Sequence, residues 1–239
     1  MDNIIQRAFI DNEQVNLLQD KIKIYSCSFH LAAYSPRAFE AFAIDLPHAV
    51  LNAVPKRQAE FLAGRYLMQQ ALKDLGHSAC QVPIGQHRQP VLPDGILASI
   101  SHTDQHAYCG IKRGDSQSYL GIDAEHWLAT AVAEDIQSTI ITPMERSYLR
   151  TLDRPFHILL TLVFSAKESL FKAIYKFVGA YFDFDCAAIS GIDFNQKSFT
   201  LTLQTTLAAS MKQGTEFKGS FTSNDQLIVT LITDNECHR

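Results

Sequence analysis

The 239-residue chain lacks several features that would place it in a special class of protein. No apolar run approaches the ~20 residues of a membrane span, and no basic segment followed by an apolar one opens the chain, so we expect neither a membrane helix nor a signal peptide. The net charge is only −4, which argues against general affinity for nucleic acid. With 46% hydrophobic and 19% charged residues, we expect a globular cytoplasmic protein of one large or two small domains.

Cysteine is also sparse. The five cysteines are widely spaced, odd in number and include no C-x-x-C pair. This pattern argues against a disulfide framework and against a structural zinc site, and it suits a reducing compartment.

The most informative stretch of the chain is a predicted helix over residues 164–178. We predict Ser165 as its N-cap, with Glu168 completing a capping box, and Gly179 as its stop. Glu168 also falls on the apolar face, where a carboxylate is costly unless it is paired or binds a cation. A simple pair with Lys172, four residues on, is the plainer alternative. The apolar face consists of Phe164, Leu170, Phe171, Ile174, Phe177 and Val178.

Two further carboxylates, Asp123 and Glu125, lie upstream on a predicted strand, 118–125, which we pair with residues 106–113 in a hairpin. Being two residues apart, they project from one face of the strand and repel each other unless a cation lies between them. Oxygen ligands without clustered His or Cys favour Mg²⁺, or Mn²⁺ as a substitute. With Glu168 they form a candidate three-carboxylate site; a solvated strand end is the alternative.

A second helix is predicted over residues 55–76, with a proline in its first turn and a glycine stop. It carries Arg57 and Arg65, either of which alone is more simply explained as part of a solvated face. Gly64 in mid-helix costs about 1 kcal/mol relative to Ala, so it indicates a close approach by a backbone or a ligand.

A Pro- and Gly-rich loop over residues 83–95 carries Arg88 and leads into a predicted strand, 96–102. Ser101 shares one face of this strand with a second serine, and His102 lies where the strand ends. A histidine at a strand exit beside hydroxyl groups is well placed to meet an anion, although a lone His is usually structural.

Weak internal similarity suggests that the chain has two related halves. Residues 61–76 and 164–179 align with five identities in 16 positions. This match is compatible with two similar halves, each a long helix on a small sheet, with a cleft between them. Other strands are predicted at 22–29, 199–203 and 226–233.

These segments, taken in order, resemble the 4'-phosphopantetheinyl transferases of the surfactin- and enterobactin-synthase type. The resemblance covers about residues 55–180, and the pairing of G-I-D-x-E with F-S-A-K-E-S-x-x-K about 40 residues later is specific. The matching pieces are Ser99-Ile-Ser-His102, Gly121-Ile-Asp-Ala-Glu125 and Phe164-Ser-Ala-Lys-Glu-Ser-Leu-Phe-Lys-Ala173, together with Lys56–Arg65 and Arg88–Gly95 upstream.

The resemblance implies transfer of the 4'-phosphopantetheine arm of coenzyme A to a serine of an apo acyl, aryl or peptidyl carrier protein. Adenosine 3',5'-bisphosphate is released, and the reaction depends on Mg²⁺. It also implies an α+β fold of two pseudo-symmetric halves, each a long helix packed on a small, mainly antiparallel sheet, with the active site in the cleft between them. Residues 1–117 would form the half on the coenzyme A side, and residues 118–239 would carry the metal-binding acids. With both halves in one chain, we expect a monomer.

The resemblance also implies roles for single residues. Asp123, Glu125 and Glu168 would bind Mg²⁺ against the pyrophosphate, which Lys172 would also contact. Glu168 is our candidate acceptor for the serine proton, directly or through a metal-bound water. The candidates for nucleotide and phosphate contacts are Ser101, His102, Arg57, Arg65 and Arg88, with His102 near the 3'-phosphate.

The chain departs from the family pattern at two places. Ala124 stands where the family more often has a larger aliphatic residue, and Arg88-Gln89 stands where other branches have Gly-Lys. Two other functions stay open: a carrier-binding module that has lost catalysis, and a hydrolase that cleaves the coenzyme A pyrophosphate with water.

Overall fold

The computed structural model describes residues 2–18, 22–77, 81–85 and 89–234. The chain divides into two compact units, Met1–Gln117 and Ser118–Arg239. Each unit has an antiparallel sheet, a long helix on that sheet and its own hydrophobic core. The predicted α+β class is confirmed. Among the described residues, no helix has the length and apolar character needed to cross a membrane.

The helices and strands of the first unit are α1 (Asp2–Phe9), β1 (Ile10–Leu18), β2 (Ile22–Phe29), α2 (Arg37–Ala41), α3 (His48–Leu51), α4 (Pro55–Asp74), β3 (Ile96–His102) and β4 (His106–Arg113). The four strands form a sheet in the order β1-β2-β4-β3, on which the 20-residue helix α4 packs. Apolar residues of α4 meet the inward-facing side chains of β2 and β4, and they form one core with the aromatic residues around the end of α1.

The close approach predicted at Gly64 is made by a side chain. A Cβ atom at Gly64 would lie 2.7 Å from Cγ2 of Ile100, on strand β3. Glycine therefore lets α4 lie close to the strand that ends at His102, which brings the first turns of the helix near that histidine.

The helices and strands of the second unit are β5 (Leu120–His126), α5 (Thr130–Ile140), α6 (Pro143–Leu149), α7 (Phe156–Val178), β6 (Ala187–Asp193), β7 (Ser198–Leu203), β8 (Glu216–Ser223) and β9 (Leu227–Thr233). The five strands form a sheet in the order β5-β9-β8-β7-β6, and the 23-residue helix α7 packs on β5 and β9. Aliphatic and aromatic side chains of α7, of four of the strands and of α5 and α6 form the core.

The predicted start of the central helix is wrong. Helix α7 begins at Phe156, directly after Pro155, and Ser165 lies buried in its middle and caps nothing. Glu168 therefore completes no capping box. Residues 157–163 are almost wholly apolar and mostly buried, so they show no amphipathic period that would identify them as helix. The predicted stop is confirmed, because Gly179 has a left-handed φ of 68°.

The predicted hairpin between residues 106–113 and 118–125 is also wrong. Strand β4 pairs with β2 and β3 in the first sheet, whereas β5 pairs with β9 in the second. The polar residues 114–117 have the composition of a tight turn, but they are the connection between two units. Composition alone does not distinguish these two uses of a turn.

Candidate active site

Strand β5 and helix α7 lie unusually close together at Gly121. A Cβ atom at this position would stand 1.9 Å from the Ser169 carbonyl oxygen and 2.7 Å from the Ala173 nitrogen. Only a residue without a side chain fits between the two backbones. Gly121, the glycine of the G-I-D-x-E segment, therefore lets the helix lie directly over the strand that carries Asp123.

Buried hydroxyl groups fix the rotation of α7 on the sheet. Thr230 on β9 lies opposite Asp123 in the strand register. Its hydroxyl is 2.9 Å from the Ser165 hydroxyl and 2.7 Å from the Ser169 hydroxyl, and Ser169 also donates to the Thr230 carbonyl oxygen. All three side chains are fully buried. The two serines of the F-S-A-K-E-S segment thus set which residues of α7 face Asp123.

Lys172 is the residue that this rotation brings to Asp123. Its Nζ donates to Oδ1 of the buried Asp123 at 2.7 Å. This contact gives Lys172 an acid partner on the neighbouring strand besides its electrostatic interaction with Glu168, so the pair along the helix is not its sole interaction. Lys172 keeps about a quarter of its side chain exposed, so it lies at the boundary between the buried acid and solvent.

Glu125 and Glu168 lie within electrostatic reach of the same pair. Burial, together with the negative charges of Asp123 and Glu168, raises the pKa of Glu125 to about 7. Burial, followed by the charge of Asp123, also raises the pKa of Glu168, while Lys172 opposes both shifts. The structure therefore gathers three mutually repelling carboxylates around one ammonium group.

The role of these acids as metal ligands stays a prediction. Within the described parts of the chain, no three His, Cys, Asp or Glu side chains already stand in a metal-binding arrangement. The donor set of Asp123, Glu125 and Glu168 consists of oxygen alone, which suits a hard divalent cation. A cation between them would also relieve the repulsion that raises the pKa of Glu125 and Glu168.

An aromatic pocket of about 180 Å³ opens beside Glu168. The Phe171 ring stacks on the Tyr181 ring, with 5.3 Å between the ring centroids, and it lies tilted against the Phe182 ring, with 5.1 Å between the centroids. The pocket can accept a slender, largely apolar group whose polar end reaches the carboxylates. It is lined by Lys167, Glu168, Leu170, Phe171, Tyr181, Phe182, Asp183, Phe184 and Ala187.

Lys167, the residue before Glu168, has a structural position. Its Nζ lies 2.8 Å from Oε1 of Glu145 and donates to the carbonyl oxygens of Ile140 and Phe184. Glu145 also accepts from the backbone nitrogens of Thr142, in a capping box, and Ile189. The pair is 2% exposed at each side chain, and it ties α7 to α6, β6 and the pocket wall.

In the first unit, the structure brings Arg57 and His102 together. Nη1 of Arg57 lies 2.6 Å from Nε2 of His102 at the end of β3. Glu60, one turn along α4, has its Oε2 atom 3.3 Å from Arg57 Nη1 and 3.7 Å from His102 Nδ1. Arg57 and His102 are partly exposed, whereas Glu60 is nearly buried behind them.

Arg65 is a buried cation. Burial lowers its pKa to about 10. Its Nη1 approaches the sulfur of Met68 at 3.7 Å, and its guanidinium lies 5.0 Å from the centre of the Phe61 ring. No carboxylate pairs with Arg65 in the described part of the chain. A buried guanidinium without an acid partner is costly, and a bound anion would offset that cost.

The remaining predicted residues are Ser101 and Arg88. Ser101 is buried in β3, opposite Tyr108 in the register. Arg88 lies outside the described residues.

Sequence reasoning missed several residues that position the site. Glu60 is one, although its spacing from Arg57 is the usual one for a helical ion pair. Glu145 is another, because its partner lies 22 residues away and nothing in the local pattern indicates it. Thr230 gives no signal either, since a threonine in a strand is ordinary.

The side chains of the site indicate a class of enzyme. Carboxylates gathered around a lysine, beside a pocket, are typical of enzymes that transfer phosphoryl groups with a divalent cation. Two family models then match the chain: the 4'-phosphopantetheinyl transferase N-terminal domain over residues 46–111, and the 4'-phosphopantetheinyl transferase superfamily over residues 119–231.

Curated relatives extend these matches. Enterobactin synthase component D of Salmonella typhi is 35% identical over 208 residues, 85% of each chain. The Escherichia coli (strain K12) protein of the same name is 38% identical over 149 residues, 61% of this chain and 70% of its own. 4'-Phosphopantetheinyl transferase Svp of Streptomyces mobaraensis is 32% identical over 188 residues, 77% and 74% respectively. The chain belongs to the 4'-phosphopantetheinyl transferase superfamily.

Proposed function

We propose that this protein transfers the 4'-phosphopantetheine arm of coenzyme A to a serine of a carrier protein and that the reaction depends on Mg²⁺. The observation that carries the proposal is the Asp123–Lys172 contact, with Glu125 and Glu168 in electrostatic reach, in a chain of this superfamily. These groups supply both signs of charge that a pyrophosphate and its cation require.

The metal proposal assigns Asp123, Glu125 and Glu168 as the ligands of Mg²⁺, with Mn²⁺ as a substitute. Their oxygen donors fit a hard cation, and their mutual repulsion favours one. When bound, the ion would offset the charge that develops on the pyrophosphate. Lys172 is close enough to Asp123 to contact the same phosphate groups.

The reaction breaks the phosphoanhydride bond of the coenzyme A pyrophosphate and forms a phosphate ester with the serine. The serine oxygen attacks the phosphorus that carries the pantetheine arm, and the bond from this phosphorus to the bridging oxygen breaks. That oxygen leaves on adenosine 3',5'-bisphosphate, where Lys172 offsets its charge. Glu168 is the proposed acceptor of the serine proton, because it is the one acid of the three that also lines the pocket.

The pocket supports this arrangement by its position. Since the arm is attached to the pyrophosphate, a group that extends from a phosphate near Glu168 can enter the aromatic pocket formed by Phe171, Tyr181 and their neighbours. Apolar walls also exclude water, which limits hydrolysis in place of transfer.

The first unit is proposed to hold the nucleotide end of coenzyme A. Arg57 and His102 form a partly exposed basic pair, proposed to bind the 3'-phosphate. Arg65 is a buried cation that an anion would complete, and Ser101 precedes His102 on the same strand. Residues 1–117 would thus serve the nucleotide, and residues 118–239 the metal and the chemistry.

The proposed partner is an apo carrier protein, acyl, aryl or peptidyl. Several relatives are named enterobactin synthase component D, so a carrier of a siderophore or peptide synthase is the first to test. We propose that the enzyme works as a monomer in the cytoplasm.

The test is mass spectrometry of an apo peptidyl carrier protein incubated with the enzyme, coenzyme A and Mg²⁺. We expect the carrier to gain the mass of one phosphopantetheine arm, and EDTA to prevent the gain. Asp123→Asn should abolish transfer, whereas Asp153→Asn, which changes an exposed loop acid of the same unit, should not.

Each other outcome points to a different function. Consumption of coenzyme A without any gain of mass on several carriers would indicate a pyrophosphate hydrolase. Binding of the carrier without consumption of coenzyme A would indicate a module that has lost catalysis. Full transfer in the presence of EDTA would remove the metal from the proposal.

A further inference from the structure

Glu60 makes a set of contacts that the reaction does not yet explain. One oxygen of its carboxylate lies 3.3 Å from Arg57 Nη1 and 3.7 Å from His102 Nδ1, while Arg57 itself contacts the other ring nitrogen of His102 at 2.6 Å. The three side chains form a closed triangle between the start of α4 and the end of β3. His102 is 45 residues from Arg57 in sequence, so Glu60 and Arg57 together attach the strand end to the helix.

The contacts fix the proton of a neutral His102. A guanidinium group only donates hydrogen bonds, so Nε2 of His102 accepts from Arg57. The ring proton then lies on Nδ1, the nitrogen that faces Glu60. The tautomer of a histidine is set by its hydrogen-bonding partners, and the contacts with Arg57 and Glu60 act in the same sense.

The triangle has an open side and a closed side. The side chains of Arg57 and His102 are 50% and 27% exposed, whereas that of Glu60 is 10% exposed. An approaching ligand therefore meets the guanidinium and the imidazole first, with the carboxylate behind them. By its charge alone, Glu60 would weaken the binding of an anion, so a favourable contribution has to come through its hold on the other two groups.

We propose that Glu60 is a positioning residue that orients Arg57 and His102 as one site for a terminal phosphate group. This inference rests on the proposed function, in which that group is the 3'-phosphate of coenzyme A. Glu60 makes no contact with the phosphate. It keeps the guanidinium beside the ring and holds Nδ1–H of the ring toward itself. Nε2 then accepts from one N–H of Arg57, and the other N–H groups of the guanidinium face the ligand.

The first test observes His102 without any ligand. Long-range ¹H–¹⁵N spectra of the ¹⁵N-labelled full chain report which ring nitrogen carries the proton, with the His102 signal assigned by its loss in His102→Asn. At a pH of about 8, where an ordinary imidazole is neutral, we expect the Nδ1–H form in the unchanged protein and a mixture of tautomers in Glu60→Gln. An unchanged tautomer in Glu60→Gln would overturn the orienting role.

The second test compares the affinities of coenzyme A and 3'-dephospho-coenzyme A by calorimetry. Glu60→Gln should weaken coenzyme A by about tenfold, the usual scale of a lost charge-assisted contact, and leave the 3'-dephospho compound within about twofold. Glu40→Gln, an exposed glutamate of α2 in the same unit, is the matched control and should change neither affinity.

The outcomes separate this inference from the proposed function. If the unchanged protein binds neither compound, the proposed function fails, and the tautomer measurement still decides whether Glu60 orients His102. If Glu60→Gln weakens both compounds equally, Glu60 has only a structural role and the inference is wrong. If it weakens neither, or strengthens coenzyme A, the inference is also wrong.

Discussion

At the scale of the residue, Lys172 contacts Asp123 in the structure and is proposed to contact a phosphate group of the substrate. In the structure its ammonium group lies 2.7 Å from Asp123, and it also lowers the pKa of both Glu125 and Glu168 against the effect of burial. A lysine held at the edge of an acid cluster can contact a phosphate without leaving its helix. Because the Lys172 side chain is partly exposed, a phosphate group can reach its ammonium group from solvent.

Lys172→Ala should therefore lower turnover strongly. We expect kcat to fall by about 10²–10³, the range found when one stabilising donor is removed from a reacting oxyanion. The matched control is Lys176→Ala, one turn further along α7 and exposed to solvent, which should keep near-normal turnover. Steady-state kinetics with an apo carrier measure both. A change confined to the KM for the carrier would contradict the pyrophosphate assignment.

Lys167, five residues earlier, also lines the pocket, but its ammonium group is bound by Glu145 and two carbonyl oxygens, so we expect it to stabilise the fold. Its partner Glu145 is 2% exposed, so removal of the lysine leaves a buried charge with no cation beside it. Lys167→Met should lower the free energy of unfolding by about 3–5 kcal/mol, measured by urea denaturation. Lys212→Met, at an exposed site of the same unit, should stay within about 0.5 kcal/mol. Normal stability with lost turnover would instead place Lys167 in the chemistry.

At the scale of the element, the contact between β5 and α7 builds the acid cluster. The strand carries Asp123 and Glu125, the helix carries Glu168 and Lys172, and Gly121 lets the two backbones meet. The buried hydroxyl contacts of Thr230 then fix the angle of the helix about its axis. The geometry of the acid cluster therefore depends on the distance between β5 and α7 and on the rotation of α7 about its axis.

Gly121→Ala tests that packing distance. The added Cβ would lie 1.9 Å from a backbone oxygen of α7, which cannot rotate away as a side chain could. We expect a loss of about 3 kcal/mol or more in the free energy of unfolding, at the upper end for overpacking. Gly191→Ala on β6 is the control, because a Cβ there meets nothing within 4 Å. Equal stability of the two variants in urea would show that α7 does not lie so close to β5.

The local features of the elements could be predicted from the sequence. Strands β2, β3 and β4 have the predicted bounds, and Gly179 ends α7, because period and cap are properties of a few neighbouring residues. The start of α7 was predicted wrongly, because a helix buried on nearly all sides shows no period. Pairing of β5 with β9 was not predictable from adjacency, since its partner lies about 110 residues away.

The candidate site likewise has features that the sequence predicts and contacts that it does not. The spacing of Asp123 and Glu125 predicts that they share one face of a strand. The position of Glu168 in an apolar stripe predicts that it belongs to the same site. The contact of Lys172 with Asp123 depends on packing, as does the position of Glu60 behind His102. These contacts depend on distances in the tertiary structure, which cannot be derived from a single sequence.

At the scale of the whole molecule, the proposal assigns different parts of the ligand to the two units. All three proposed metal ligands belong to Ser118–Arg239, whereas Arg57, Arg65 and His102 belong to Met1–Gln117. Variants in the two units should therefore affect different ligands, whatever the chemistry that follows. Stabilisation by each ligand can be measured separately, because a ligand that binds the folded state raises its stability.

Removal of the metal tests this division. Mg²⁺ at about 100 times its Kd should raise the free energy of unfolding by about 2.7 kcal/mol, and EDTA should reverse the gain. Asp123→Asn should abolish this stabilisation, because it removes one charge from the acid cluster. Arg57→Ala should keep it in full, because Arg57 lies in the other unit. Thermal unfolding with and without Mg²⁺ gives the comparison. If Arg57→Ala lost the effect of Mg²⁺ as completely as Asp123→Asn, the acids of the second unit could not be the whole of the metal site.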